Sequence, residues 1–138
     1  MQNNIIIQQL KLEILGNDFS KEMTIEEVVT QCYELGEGWR LPSKLEFLTI
    51  FNDLHLNLLG SFKNSYYWTG EPIIDGKAVC FNFSKCKFYS MNLKSVTKYP
   101  NPYTGVNFDP SYYYKYIYPI INRSSTLTCY GRAVRTII

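Results

Sequence analysis

The residue types best suited to covalent or metal chemistry in this chain are four cysteines and a single histidine. No two cysteines have the CxxC spacing of a zinc or redox motif, and His55 has no ligand neighbour in the sequence. Motifs for a nucleophilic serine, a dinucleotide, a nucleotide phosphate or a metalloprotease zinc site do not occur. We therefore expect no metal, no cofactor and no enzymatic activity, and we interpret His55 as a solvated polar residue.

The cysteines leave one chemical alternative open. Cys80 and Cys86 flank a predicted turn, and the lysines at positions 77, 85 and 87 would favour a thiolate there. A cysteine-dependent redox enzyme is therefore the alternative to a non-enzymatic protein. Cys32 lies on an apolar helical stripe and is interpreted as a core residue.

Tyrosine is the more unusual feature, because twelve of the 138 residues are Tyr and seven of these fall between residues 99 and 118. Along an extended chain, alternate tyrosines of this segment share one face. Tyr is a residue type that dominates binding interfaces, although packing of the segment onto the domain is the competing interpretation. We predict a partner-binding surface formed by Tyr103, Tyr112, Tyr114, Tyr116, Tyr118 and Lys115.

The net charge of +2 conceals a division along the chain. Residues 1–76 contain eleven acidic and five basic side chains, whereas residues 77–138 contain nine basic and one acidic. In a single domain, residues 1–138, the two halves interleave, and we expect much of this excess to pair internally. Polyanion binding remains a further alternative, although nucleic acid is not the favoured partner. It would use Lys85, Lys87, Lys94, Lys98, Lys115, Arg123, Arg132 and Arg135.

Two helices are predicted in the first half of the chain. Thr24 and Glu27 form a capping box ahead of a helix over residues 25–35, and Gly36 is suited to end it. Ser43 and Glu46 form a second capping box ahead of a helix that reaches about residue 53. The apolar positions 45, 48, 51 and 54 predict the core-facing side of this second helix.

Strands are predicted on both sides of the helices. Alternation over residues 10–14 is typical of a half-buried strand. Residues 66–69, 78–83 and 87–89 predict a meander, with Asp75-Gly76 as a hairpin turn and residues 84–86 as another. We expect residues 127–137 to form one closing strand, with a bulge at Gly131.

The order of several short motifs resembles one known family. Gly38-Trp39-Arg40-Leu41-Pro42-Ser43 lies between the predicted helices, Tyr67-Trp68-Thr69 follows, and Arg132-Ala133-Val134-Arg135 comes last. This arrangement is similar to the bacterial DUF1566 (Lcl C-terminal) domain family, related to the formylglycine-generating-enzyme-like branch of the C-type lectin fold. The resemblance covers about residues 20–90 and 127–137. Ala133 stands where the family's closing RCVR pattern has cysteine.

The resemblance implies a C-type-lectin-like α+β fold. Two helices would pack on one small twisted antiparallel sheet, with the first and last strands close together and a long Tyr-rich loop before the last strand. The motif residues would have scaffold roles, with Arg40 bound to backbone carbonyls or to a carboxylate such as Glu34. The motif residues with these implied scaffold roles are Trp39, Arg40, Leu41, Pro42, Trp68, Arg132 and Arg135.

Two further expectations follow from the lectin-like comparison. Glu71-Pro72 resembles the start of the calcium-binding EPN loop, but Ile73 replaces its asparagine, so calcium is not expected. In an exported protein, analogy with lectin-like folds implies Cys32–Cys129 and Cys80–Cys86 disulfides.

The first fifteen residues lack the features of a signal peptide, and we expect no membrane span. The protein is then cytoplasmic, with reduced thiols, if this start is native, and exported if a leader has been removed. We predict a bacterial, non-enzymatic binding module for a protein or glycan partner, with a homodimer as a further expectation.

Overall fold

The computed structural model describes residues 3–93 and 127–137. These residues form an α+β structure with two helices and two small antiparallel sheets. The prediction of one sheet is therefore wrong, because the strands divide into two groups of three. The helices are α1 (Ile25–Leu35) and α2 (Lys44–Asp53); the strands are β1 (Ile5–Ile7), β2 (Leu12–Ile14), β3 (Tyr66–Trp68), β4 (Lys77–Asn82), β5 (Lys87–Asn92) and β6 (Val134–Thr136).

The first sheet joins the two ends of the described chain in the order β1-β2-β6. Ile14 is opposite Val134 and Leu12 is opposite Thr136, so β2 is the central strand. The predicted strand over residues 10–14 is confirmed from Leu12 onward. Leu10 belongs instead to a 3-10 turn that links β2 to β1, a strand that the alternation did not predict.

The second sheet is the predicted meander, in the order β3-β4-β5. Asp75 and Gly76 both have positive φ, 53° and 69°, as a two-residue hairpin turn requires. Asn82 and Lys87 close the second hairpin at residues 83–86. Turn chemistry and alternation therefore predict this part of the fold correctly.

The closing segment, residues 127–137, is not one strand with a bulge. Cys129 bridges to Met23 and Tyr130 pairs in parallel with Tyr67 of β3, whereas β6 pairs with β2. The segment therefore leaves one sheet and joins the other. Gly131 lies at the crossing, where a Cβ atom would come within 2.6 Å of a Val28 methyl group.

Both helices begin at the predicted capping boxes. The Thr24 hydroxyl accepts the Glu27 N–H at 3.4 Å, and the Ser43 hydroxyl accepts the Glu46 N–H at 3.2 Å. In each box the glutamate carboxylate accepts the N–H of the capping residue in return. Local sequence therefore determines where these helices start.

The predicted core face of α2 is wrong at its first two positions. Leu45 is 65% exposed and Leu48 is 37% exposed, whereas Phe47 and Ile50 are fully buried. The helix has apolar residues on both sides, and the side that carries the aromatic ring of Phe47 faces the core. The last two predicted positions do face the core, because Leu54, just beyond the helix, is buried and Phe51 is partly buried against the core.

Two clusters of buried side chains form the core. One surrounds Trp68, with residues of α1, the Trp39 segment and β4, and Leu93 and Leu127 pack in or against it. The other surrounds Phe47, with Tyr67, Phe81 and Phe83 stacked edge-to-face or offset. Neither helix in the described ranges has the length and apolar character needed to cross a bilayer.

Candidate functional site

The predicted tyrosine surface lies outside the described residues. This applies to Tyr103, Tyr112, Tyr114, Tyr116, Tyr118 and Lys115, as it does to Lys94, Lys98 and Arg123 of the polyanion alternative. The structure does describe the residues that flank positions 94–126: Leu93 is buried in the Trp68 cluster and Leu127 packs against the same cluster. The Leu93 N–H also donates to the Gly76 carbonyl at 2.7 Å.

The Trp39-to-Pro42 motif is held between the closing segment and the loop after β3. Arg40 exchanges two backbone hydrogen bonds with Val134, at 2.8 and 2.7 Å. The Gly70 N–H donates to the Pro42 carbonyl, and a Cβ at Gly70 would lie 2.7 Å from the Leu41 carbonyl oxygen. Trp39 and Leu41 are buried in the Trp68 cluster. These contacts give the motif a scaffold role.

Arg40 binds a carboxylate of α2 and not Glu34 of α1. Its guanidinium forms a bidentate pair with Glu46, at 2.7 and 2.9 Å, and also donates to the Leu41 carbonyl and the Thr136 hydroxyl. Burial would raise the pKa of Glu46, but the hydrogen bonds from Arg40 and the Ser43 N–H outweigh it and lower that pKa. One carboxylate therefore both caps α2 and joins it to Arg40, whose backbone is bound to the closing segment.

Arg135 forms a partly exposed cluster on the same side. It donates to Glu13 at 2.9 Å and to Glu37 at 3.0 Å, and its guanidinium lies 4.6 Å from the Trp39 ring centroid. Hydrogen bonds from Asn4 and Arg135 lower the pKa of Glu13. The cluster ties β2, β6 and the start of the Trp39 motif together.

Arg132 is the most deeply buried charge among the described residues, at 1% exposure. It pairs with Asp18 at 2.8 Å and donates to the carbonyls of Leu15, Gly60 and Ser61. Its guanidinium also lies 4.1 Å from the centroid of the Phe62 ring. The arginine thereby fixes the loop that precedes β3.

Tyr67 completes this buried network. Its hydroxyl donates to Asp18 at 2.8 Å and accepts the Lys63 N–H at 2.9 Å, and the Lys63 ammonium is 3.0 Å from Asp18. Burial, reinforced by the Asp18 charge, raises the pKa of Tyr67, so its hydroxyl stays protonated as a donor. The network joins Asp18, the loop before β3 and the closing segment, and it has a structural role.

These pairs bear on the polyanion alternative. Arg132 and Arg135 bind Asp18, Glu13 and Glu37, which belong to the acidic half of the sequence. The expectation of internal pairing is confirmed at these two arginines. They contribute little free positive charge to an anionic partner, because Arg132 is sealed and Arg135 faces two carboxylates.

The thiols do not pair as the lectin-like analogy implied. All four cysteines are free, and the side chain of Cys80 is hydrogen-bonded to that of Cys129. Cys86 packs against the Phe47 cluster, whereas the other three lie in the Trp68 cluster. The pairing of Cys80 with Cys86 is therefore wrong.

The environment of the thiols also bears on reactivity. The hydrogen bond from Cys129 lowers the pKa of Cys80, and the same contact, with burial, raises that of Cys129. No lysine contributes to either shift, and both thiols are fully buried. Burial raises the pKa of Cys32 to about 12, as expected of a core cysteine.

A shallow hollow of about 200 Å³ opens beyond the end of α2. His55 lines it and is not merely solvated: its Nε2 is 2.8 Å from Asn64 Oδ1 and its ring packs on Phe83. No group of three metal-ligating side chains occurs within the described ranges. The lining residues are His55, Leu58, Leu59, Ser61, Phe62 and Asn64.

The sequence did not indicate that Asp18 and the loop of residues 60–63 belong to the buried network around Arg132. Asp18 ends a Gly16-Asn17-Asp18 sequence that is typical of a turn, and nothing near it in sequence indicates an arginine 114 positions away. Comparison with known proteins does not supply an identity: no family model matches the chain, and no curated protein matches it.

Proposed function

We propose that this protein is a non-enzymatic binding module on a C-type-lectin-like scaffold related to the DUF1566 family. The Tyr-rich segment would present its rings to a protein or glycan partner. The observation that carries the proposal is that both flanks of this segment, Leu93 and Leu127, pack on the same buried cluster. A rigid platform that holds both ends of a long aromatic segment is a common design for recognition.

The described fold supports the scaffold half of the proposal. The resemblance implies that the first and last strands lie close together, and β1 and β6 share one sheet, each paired with β2. It also implies that the Trp39 motif is structural, and that motif is pinned by backbone hydrogen bonds to Val134 and Gly70. Within the described residues, Arg40, Arg132 and Arg135 are used to join elements rather than to face a ligand.

The redox alternative has less support. A redox cysteine needs access to its substrate, and Cys80 is fully buried. Replacement of both Cys80 and Cys86 by Ser should leave partner binding unchanged, whereas a redox enzyme would lose its activity.

The decisive experiment removes rings from the Tyr-rich segment. We expect the Tyr114→Ala/Tyr116→Ala variant to fold normally and to lose binding on a glycan array and in affinity capture from the source cells. Leu58→Ala, which removes a 92%-exposed apolar side chain outside the Tyr-rich segment, is the control and should bind as the wild type does. Equal binding by the double variant and the wild type would refute the proposal, and binding that falls steeply with salt would favour the polyanion alternative.

A further inference from the structure

Strand β1 forms an open edge of the first sheet. It pairs with β2 on one side, and within the described residues no strand pairs with its other side. The side chain at its centre, Ile6, is 50% exposed, whereas that of Ile7 is buried. An unpaired strand edge presents backbone donors and acceptors to a further strand. The outer side of β1 is therefore a surface at which another strand can add.

The register of the sheet shows which backbone groups face this open edge. The Leu15 N–H donates to a carbonyl of the closing segment. Bonding directions alternate along an antiparallel strand, so Leu12 and Ile14, at odd spacings from Leu15, bond to β1 instead. They lie opposite the last and first residues of β1. The N–H and C=O of the middle residue, Ile6, therefore point away from β2.

The edge lacks the features that prevent unwanted strand addition. Proteins protect open edges with charged side chains, prolines or bulges. Residues 1–10 contain no charged side chain and no proline, and the first charged residue is Lys11. At the centre of the edge stands an exposed isoleucine, where a protective lysine would be expected. The sequence therefore favours addition of a strand here.

The residues around Ile6 indicate that the added strand is a second copy of β1. Residues 3–9 read Asn-Asn-Ile-Ile-Ile-Gln-Gln, which is nearly symmetric about the central isoleucine. In an antiparallel pair centred on Ile6, the two copies of Ile6 lie opposite each other, and Ile5 of each copy lies opposite Ile7 of the other. Isoleucine then meets isoleucine, amide meets amide, and no like charges are opposed.

This pairing satisfies the outward backbone groups and covers apolar surface on both faces. The two copies of Ile6 would exchange two hydrogen bonds, with Cα atoms about 5.5 Å apart and side chains in contact on one face. On the other face, Ile5 is only partly buried against the Phe47 cluster, and Ile7 of the second copy would cover it further. A two-fold axis perpendicular to the sheet relates the strands, as a closed dimer requires.

We propose that this protein forms a homodimer in which β1 pairs antiparallel with β1 of a second copy, so that the two first sheets become one continuous sheet. The proposal does not depend on what the Tyr-rich segment binds. The 3-10 turn that follows β1 confines the pairing to a short stretch, so the dimer is expected to be weak and reversible.

Sedimentation velocity over a series that extends to high chain concentration is the test. We expect the wild type to dimerise. The Ile6→Lys variant, which opposes two ammonium groups at the edge, should associate at least tenfold more weakly. Ile74→Lys is the matched control, because Ile74 is an isoleucine with 49% exposure outside the first sheet. It should dimerise as the wild type does.

A second variant tests the position of the two-fold axis. Ile6→Glu alone should also lose the dimer, because two carboxylates then oppose each other. An equimolar mixture of Ile6→Lys and Ile6→Glu should restore it, since an axis at position 6 places the two new charges face to face. Circular dichroism verifies that each variant is folded. Hydrogen exchange of the wild type needs no variant: the Ile6 N–H should exchange more slowly as the dimer forms.

Four results would overturn the proposal. The first is a wild type that stays monomeric throughout the series, including the case in which the edge binds an unrelated peptide. The second is a folded Ile6→Lys variant that dimerises as the wild type does. The third is a mixture of the two folded variants that fails to restore the dimer. The fourth is an Ile6 N–H whose exchange does not slow on dimerisation.

Discussion

Arg132 and Arg135 are three residues apart in the closing segment, yet their surroundings differ in almost every respect. Arg132 is 1% exposed, and its partner Asp18 is 5% exposed. The Arg135 side chain is 27% exposed, and one of its two carboxylate partners, Glu37, is 79% exposed. Arginine therefore forms a buried network at position 132 and a solvent-facing cluster at position 135.

The difference shows which of the two arginines organises the fold. A buried charge that loses its partner carries an uncompensated desolvation cost, whereas an exposed pair exchanges its partner for water at little cost. Arg132 also donates to three backbone carbonyls, two of them in the loop that precedes β3. We therefore expect the Asp18–Arg132 pair to be essential for the stability of the fold and the Arg135 cluster to contribute little to it.

The largest effect is expected from Asp18→Asn. It leaves the Arg132 charge buried without a carboxylate, which should lower the free energy of unfolding by about 3–5 kcal/mol. Urea denaturation followed by circular dichroism measures the loss. Arg132→Met added to Asp18→Asn removes the orphan charge and should recover part of the stability. A loss below about 1 kcal/mol for Asp18→Asn would mean that this network is no stronger than a surface pair.

An intermediate effect is expected from Glu46→Gln, which weakens the pair with Arg40. The Glu46 side chain is 16% exposed, and we expect a loss of about 1–2 kcal/mol at neutral pH. Because folding lowers this pKa, the contribution is present above the ordinary value of 4.5 and is lost as pH falls through the folded-state value. Variant and wild type should therefore converge in acid.

Glu34→Gln is the control for this experiment, because Glu34 is exposed on α1 and was one of the partners considered for Arg40 from the sequence. It should change the stability little at any pH. If Glu34→Gln lowered the free energy of unfolding more than Glu46→Gln, the assignment of Arg40 to a carboxylate of α2 would be mistaken.

The smallest effect is expected from Arg135→Met, which keeps an apolar stem beside Trp39 but removes the charge. Thermal melting in low salt should show a slight destabilisation, and the difference from the wild type should vanish in molar salt, where exposed pairs are screened. A large decrease that persists in molar salt would contradict the contrast between the two arginines.

Sequence analysis predicted the features that depend on neighbouring residues. Both capping boxes lie within four residues, and the Asp75-Gly76 turn is a dipeptide, so the starts of α1 and α2 and the meander follow from local rules. Trp39 and Trp68, which the family resemblance gave scaffold roles, are both buried. The scaffold roles of Arg40 and Arg135 also agree with the observed pairs.

Features that depend on distant residues were not predictable in this way. Helix α2 is apolar on two sides, so periodicity alone does not distinguish the buried Phe47 side from the exposed Leu45 side. Alternation indicates a strand over residues 127–137 but does not show that Tyr130 and Val134 pair in different sheets. The Cys80–Cys129 contact and the Asp18–Arg132 pair likewise join distant parts of the chain. The predicted tyrosine surface is not tested, because it lies outside the described residues.

The closing segment has a consequence for how the protein is made. A ribosome adds residues 127–137 after residues 3–93, yet Asp18, Glu13 and the Arg40 backbone find their partners in that late segment. Until the closing segment has been synthesised, β2 is unpaired along one edge and the Asp18 carboxylate lacks its arginine partner. Contacts that span most of the chain also slow the search for the native state. The nascent protein is therefore expected to complete its core only after synthesis of its last strand, with exposed apolar surface that chaperones would recognise in the interval.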